Sequence, residues 1–127
     1  MKRIWFGVAV SVMVFISPQV FASAVEFQCD YEKMASPDGV EPAGKFALQF
    51  TLDTLTNEAV IVGNNGLADV MPLDNKYGIT FVEITDSGNL MTTTINMLDG
   101  ESVHSRNSII AGGLVPTQYY GKCEINE

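Results

Sequence analysis

The stretch KFALQFTLD, Lys45 to Asp53, decides the fold class. Phe46, Leu48, Phe50 and Leu52 fall on one side of an extended chain, and Lys45, Ala47, Gln49, Thr51 and Asp53 fall on the other. Strict alternation is the period of a half-buried strand. Phe27, Cys29 and Tyr31 alternate with Glu26, Gln28 and Asp30 in the same way, which points Cys29 inward.

Working outward, turn residues recur at Pro37-Asp38-Gly39, Asn64-Asn65-Gly66, Asp86-Ser87-Gly88-Asn89, Asp99-Gly100 and Gly112-Gly113. Between them lie strand-like runs at Glu58 to Val62, Leu67 to Met71, Ile79 to Thr85, Leu90 to Met97, Ser102 to Ala111 and Thr117 to Cys123. Residues Met34 to Gly44 read as a loop with room for a short helix. Short strands at regular spacing predict an all-β antiparallel meander of about eight strands, closed into a small barrel, with a two-sheet sandwich as the alternative. No repeat, low-complexity tail or linker marks a second domain.

The first residues differ from the rest. Lys2 and Arg3 precede an apolar run from Ile4 to Ile16, then Ser17-Pro18 and the small residues Ala22 and Ala24. This is the layout of a signal peptide over 1–24, cut after Ala22 or Ala24, with a single barrel domain over 25–127. The run is shorter than the ~20 residues of a spanning helix, so the mature chain is expected to be periplasmic or secreted, without stable membrane insertion. In an oxidising compartment Cys29 and Cys123 read as a disulfide clipping the first strand to the last.

Without Lys2 and Arg3, five basic side chains remain against 15 acidic ones, a formal charge of −10. Such a surface repels phosphate backbones, which argues against nucleic acid and leaves a basic protein as one partner class. No cofactor and no metal is expected. Calcium-loop, phosphate-loop and dinucleotide signatures are absent, and two cysteines with a remote histidine lack a fourth zinc ligand. Met71, Met91 and Met97 read as core, and Asp69 and Asp74 as loop carboxylates.

The stretch GESVHSRNSII, Gly100 to Ile110, holds the only histidine and the only arginine of the mature chain. A three-residue loop Leu98-Asp99-Gly100 would set Thr92 opposite Arg106, and the preceding hairpin would set Glu83 opposite Thr92. One side would then carry Glu83, Thr92, Thr94, Asn96, Ser102, His104 and Arg106. Val82, Ile84, Thr93, Ile95, Met97 and Val103 would form the core side. A two-residue loop would slip the pairing by one and turn His104 and Arg106 toward Ile95 and Met97. The three-residue loop is preferred because it segregates polar from apolar residues. It brings Glu83 and Arg106 close enough for a charge-assisted pair, and makes Glu83, Thr92, His104 and Arg106, with Tyr119 or Tyr120 alongside, the binding patch.

The run from GITFVEITDSGN through TTTI and VHSRNSII to QYYGKC resembles a group of small exported bacterial proteins of no assigned activity. The resemblance marks Glu83, His104, Arg106, Tyr119, Tyr120 and Cys123. The overall plan is also similar to periplasmic inhibitors of c-type lysozyme, which are eight-stranded barrels with cysteines near their ends. Here Ser87-Gly88 is followed by Asn89, Leu90 and Met91, without the tyrosine of that family's signature.

Three functions follow as expectations: a non-catalytic module that binds a protein, in the manner of an inhibitor; a carrier with a small ligand in the barrel; or a hydrolase or lyase using His104 as base and Glu83 as its orienter. An interior filled by Phe27, Phe46, Leu48, Phe50, Ile84 and Ile95 would count against the carrier. An exposed imidazole on a flat surface would count against the enzyme.

Overall fold

The structure, a computed structural model, describes residues 23–63 and 66–127. The leader read at 1–24, apart from Ser23 and Ala24, lies outside the described residues, as do Asn64 and Asn65 of the predicted turn.

Eight strands follow in chain order: β1 (Ala24–Ser36), β2 (Gly39–Asp53), β3 (Glu58–Gly63), β4 (Gly66–Asp74), β5 (Gly78–Ile84), β6 (Leu90–Asn96), β7 (Glu101–Ile110) and β8 (Gly113–Asn126). Each pairs antiparallel with the next, and β8 returns to pair with β1. The sheet is therefore a closed barrel and not a sandwich. Closure removes every unpaired edge, the hazard that an open meander of this length would carry. At the seam Cys29 and Cys123 stand directly opposite one another and are joined by a disulfide.

The segment read as a loop at 34–44 is instead the tip of a long hairpin, with Ser36 paired to Gly39 across Pro37-Asp38. Pro42 and Gly44 break the alternation that announces a strand, and the ladder absorbs the irregularity by a register shift between Tyr31 and Lys33. Together with the β7–β8 hairpin, which is paired as far as Ile110 and Gly113, it raises one wall of the barrel above the other.

The interior has two layers of different character. At the end where β1 begins and β8 ends, Phe27, Phe50, Phe81 and Ile95 are almost wholly buried. Phe50 and Phe81 stack at 4.4 Å, and Phe27 meets Phe81 edge to face at 5.3 Å. These packed rings fill the barrel cross-section at their level. Toward the hairpin end the interior turns polar, with Tyr31, Thr93, Ser102 and His104 all buried.

The registers differ from the sequence expectation by one residue in two consecutive hairpins. Glu83 pairs with Met91 and not Thr92, and Met91 pairs with Arg106. The β6–β7 loop has four residues, Met97 to Gly100, closed by the Gly100 N–H donating to the Asn96 carbonyl at 2.8 Å. Gly100 is in the left-handed region at φ 79°, and a side chain there would meet the Cys123 carbonyl. Ser102, His104 and Arg106 consequently face inward with Thr93 and Ile95. Val82, Ile84 and Val103, expected in the core, face outward, and Ile84 is exposed. Met97 lies exposed in the loop, and Met71 is exposed on the outer wall.

Gly121 marks a second close approach. A Cβ there would collide with the Asp30 carbonyl oxygen and lie 2.7 Å from the Tyr31 Cα, both backbone atoms beside the seam. Gly121→Ala is expected to destabilise by ~3 kcal/mol or more, because backbone on a closed ladder cannot give way locally. Gly113→Ala, where the nearest atom is 3.5 Å away and φ is not positive, is expected to cost under ~1 kcal/mol. Urea unfolding of the two variants checks the difference.

Candidate functional site

Four aromatic rings from different strands meet at the hairpin end. Phe46 of β2 and Tyr119 of β8 stack at 4.3 Å with 18° between planes. Tyr31 lies 5.5 Å from Phe46, and the His104 ring lies 5.7 Å from Phe46 and 6.0 Å from Tyr119. The disulfide explains how β1 and β8 contribute. With Cys29 and Cys123 both inward, period two also sends Tyr31 and Tyr119 inward.

Arg106 sits over this cluster. Its guanidinium carbon is 4.9 Å from the Tyr119 centroid and 5.2 Å from that of Phe46. Cation–π attraction of this kind contributes about 0.5 to 2 kcal/mol. Its Nε is buried and has no hydrogen-bond acceptor among the described residues.

His104, two residues earlier on β7, is 2% exposed. Its Nδ1 lies 2.7 Å from the Thr93 Oγ1, while Nε2 is buried with no partner. Burial, reinforced by the positive charge of Arg106, pushes its pKa down to about 4, so the ring is neutral near pH 7. Beneath it Tyr31 and Ser102 share a hydrogen bond of 2.9 Å between hydroxyls. Burial pushes the Tyr31 phenol up to about 12, against a smaller opposing effect of the Ser102 bond, and it stays protonated.

These groups open into a cavity of about 540 Å³ at the barrel mouth, whose lining includes Phe46, Leu48, Ile61, Glu83, Met91, His104 and Arg106. Gly63 and Ala68 give β3 and β4 a low rim, opposite the raised aromatic wall. Asp86 and Ser87 from the β5–β6 turn lie on the same margin as Glu83.

Glu83, His104 and Arg106 therefore come together in the lining of one cavity, and Tyr119 joins them through its stack with Phe46 beside Arg106. Thr92 and Tyr120 do not join them. Thr92 pairs with Ser105 and faces outward by the alternation of β6, and the exposed Tyr120 hydroxyl donates to Gln118 Oε1 at 2.7 Å. The expected Glu83–Arg106 pair is also absent. The two residues flank Met91 from either side, and no ion pair within 4.0 Å joins them. The partner that positions His104 is Thr93 and not Glu83. Phe46, Tyr31, Thr93 and Met91 belong to the site but were read only as strand or core residues. The inward direction of both cysteines was the available signal for Tyr31 and Tyr119.

The chain matches no family model, no curated protein sequence and no solved structure. Among the described residues, no group of three or more His, Cys, Asp or Glu side chains is placed to hold a metal ion.

The neutral state of His104 makes stability depend on pH. Its folded pKa lies below the unfolded value of about 6.5, so the unfolded chain binds the proton first. The contribution is fully present above pH 6.5 and is lost as pH falls from about 6.5 to about 4. The loss amounts to about 3 kcal/mol. Urea unfolding at neutral and acid pH is expected to show a shallower pH slope in His104→Gln than in the wild-type chain, with the difference confined to that window.

Proposed function

We propose that the protein is an exported, non-catalytic binding barrel whose mouth takes an anionic group of its ligand, such as a carboxylate, at Arg106. One observation carries this reading: a guanidinium close to two stacked rings at the edge of an open cavity, with its Nε buried and without an acceptor among the described residues. An unsatisfied buried donor costs about 1 to 3 kcal/mol, and an incoming anion removes that cost. Guanidinium and carboxylate also match in plane and hydrogen-bond spacing. With Thr93 donating to His104 Nδ1, the neutral ring keeps its proton on Nε2, a second donor two residues from Arg106 on the same strand face.

A binding role suits the site better than catalysis. A base works best with a pKa near the working pH, and an imidazole pushed down to about 4 takes up protons poorly at pH 7. His104 does lie in a concave cavity, but Thr93 and not a carboxylate orients it. The mouth also suits a ligand better than the barrel's far end, which Phe27, Phe50 and Phe81 fill.

Export follows from the leader-like first residues and fits the disulfide, which persists in oxidising compartments. Of the two cut sites, the one after Ala22 keeps Ser23, whose carbonyl accepts hydrogen bonds from the Thr54 N–H at 3.1 Å and the Thr54 hydroxyl at 2.9 Å. Intact mass of protein recovered from outside the cytoplasm is expected to correspond to a chain starting at Ser23.

The anion reading is tested by titrating the disulfide-intact protein with propionate while following the backbone amide resonances of His104 to Asn107 by NMR, a probe present in wild-type and variant alike. A saturable shift is expected in the wild-type chain, with affinity reduced at least ~10-fold in Arg106→Gln, equivalent to 1.4 kcal/mol. Equal binding by both proteins removes the proposed role of Arg106.

A further inference from the structure

Arg106 and Glu83 line one cavity without neutralising each other, and this separation is built into the barrel. They occupy level positions on β7 and β5 with Met91 of β6 between them. Two strand spacings place their Cα atoms about 10 Å apart. Strands at that distance can still be bridged by a long arginine and a glutamate reaching toward each other. Here the guanidinium instead lies on Phe46 and Tyr119, rings from β2 and β8 on the side of β7 away from β5. The stack therefore holds the positive charge off the negative one. Asp86, in the turn that follows β5, adds a second carboxylate on the Glu83 side.

The cavity also has an apolar lining, with Met91 between the two charges in the strand register and Leu48 and Ile61 contributed by β2 and β3. The buried and unpartnered His104 Nε2 lies at the Arg106 end. The cavity lining thus carries the donor residues Arg106 and His104 together with the carboxylates of Glu83 and Asp86.

We infer that the ligand of this mouth is a dipolar ion, an amino acid or peptide-like molecule whose carboxylate meets Arg106 and His104 while its ammonium meets Glu83. This rests on the anion reading above and adds the second charge, with an aliphatic segment against the apolar lining. A simple carboxylate would leave Glu83 facing an apolar chain in a partly enclosed space, where its charge repels the ligand's own. A dipolar ligand turns that repulsion into attraction. It also suits an acidic chain, because the ligand has no net charge for the surrounding carboxylates to repel.

The test compares γ-aminobutyrate and ε-aminocaproate with caproate and hexylammonium, by calorimetry and by the backbone amide resonances of His104 to Asn107, at neutral pH and low salt. The quantity read is the ratio of the caproate to the ε-aminocaproate dissociation constant, which cancels effects common to both. That ratio is expected to be at least ~10-fold larger in the wild-type chain than in Glu83→Gln, with Glu83→Asp between them. Arg106→Gln is expected to weaken both ligands. Near-UV circular dichroism of each variant confirms an intact aromatic cluster. If caproate binding depends on Arg106 but the ratio is the same in Glu83→Gln, the dipolar assignment fails and the anion reading stands. If neither ligand's binding depends on Arg106, both fail. If hexylammonium binds as well as ε-aminocaproate, the carboxylate is not recognised and the assignment is overturned.

Discussion

The pairing of β8 with β1 is the constraint on which the rest of the molecule depends. Without it the eight strands form a ribbon with two open edges and no enclosed face. With it every inward side chain is surrounded by others. The Cys29–Cys123 disulfide sits on that seam and closes a loop spanning nearly the whole described chain, with a sequence separation of 94. In the chain-entropy account a loop of that length stabilises by about 4 to 5 kcal/mol. Gly121 on the same seam has the second essential property, the absence of a side chain where two backbones crowd.

Closure also explains why one barrel carries both a solid core and a polar cavity. Phenylalanines at one end fill the cross-section by themselves. At the other end the interior positions pass to Tyr31, Phe46, Thr93, His104, Arg106 and Tyr119, which are held by stacking and by hydrogen bonds such as the one between Thr93 and His104. Two of their polar atoms, His104 Nε2 and Arg106 Nε, remain unpaired in spite of their burial. Such unpaired donors are costly in a closed core, and both of these belong to residues that line the cavity at the barrel mouth.

A patterning rule suited to a closed core fails at the open end of this barrel. Segregating polar from apolar side chains placed Val82, Ile84 and Val103 inside and His104 and Arg106 on the other face. The barrel reverses this, because its open end is lined by polar groups and its outer wall carries exposed Ile84 and Leu90. A single loop residue decided the matter, since the four-residue connection Met97 to Gly100 sets the opposite face from a three-residue one. A two-residue loop would shift the pairing the other way, yet the face it implied for His104 and Arg106, beside Ile95, is the one the chain adopts.

Alternation in Lys45 to Asp53 and Phe27 to Tyr31, regular turn residues and a cysteine near each end were enough to give an all-β barrel, its seam and the inward direction of the first two strands. These are local properties, written in periods of two along the backbone. Which face His104 and Arg106 occupy is not local. It follows from hairpin loops whose length several glycines allow, and from whether rings on β2 and β8 lie close enough to hold a guanidinium. Only the closed barrel brings those rings together, since Phe46 and Tyr119 are remote in sequence and become neighbours through the pairing of the first and last strands.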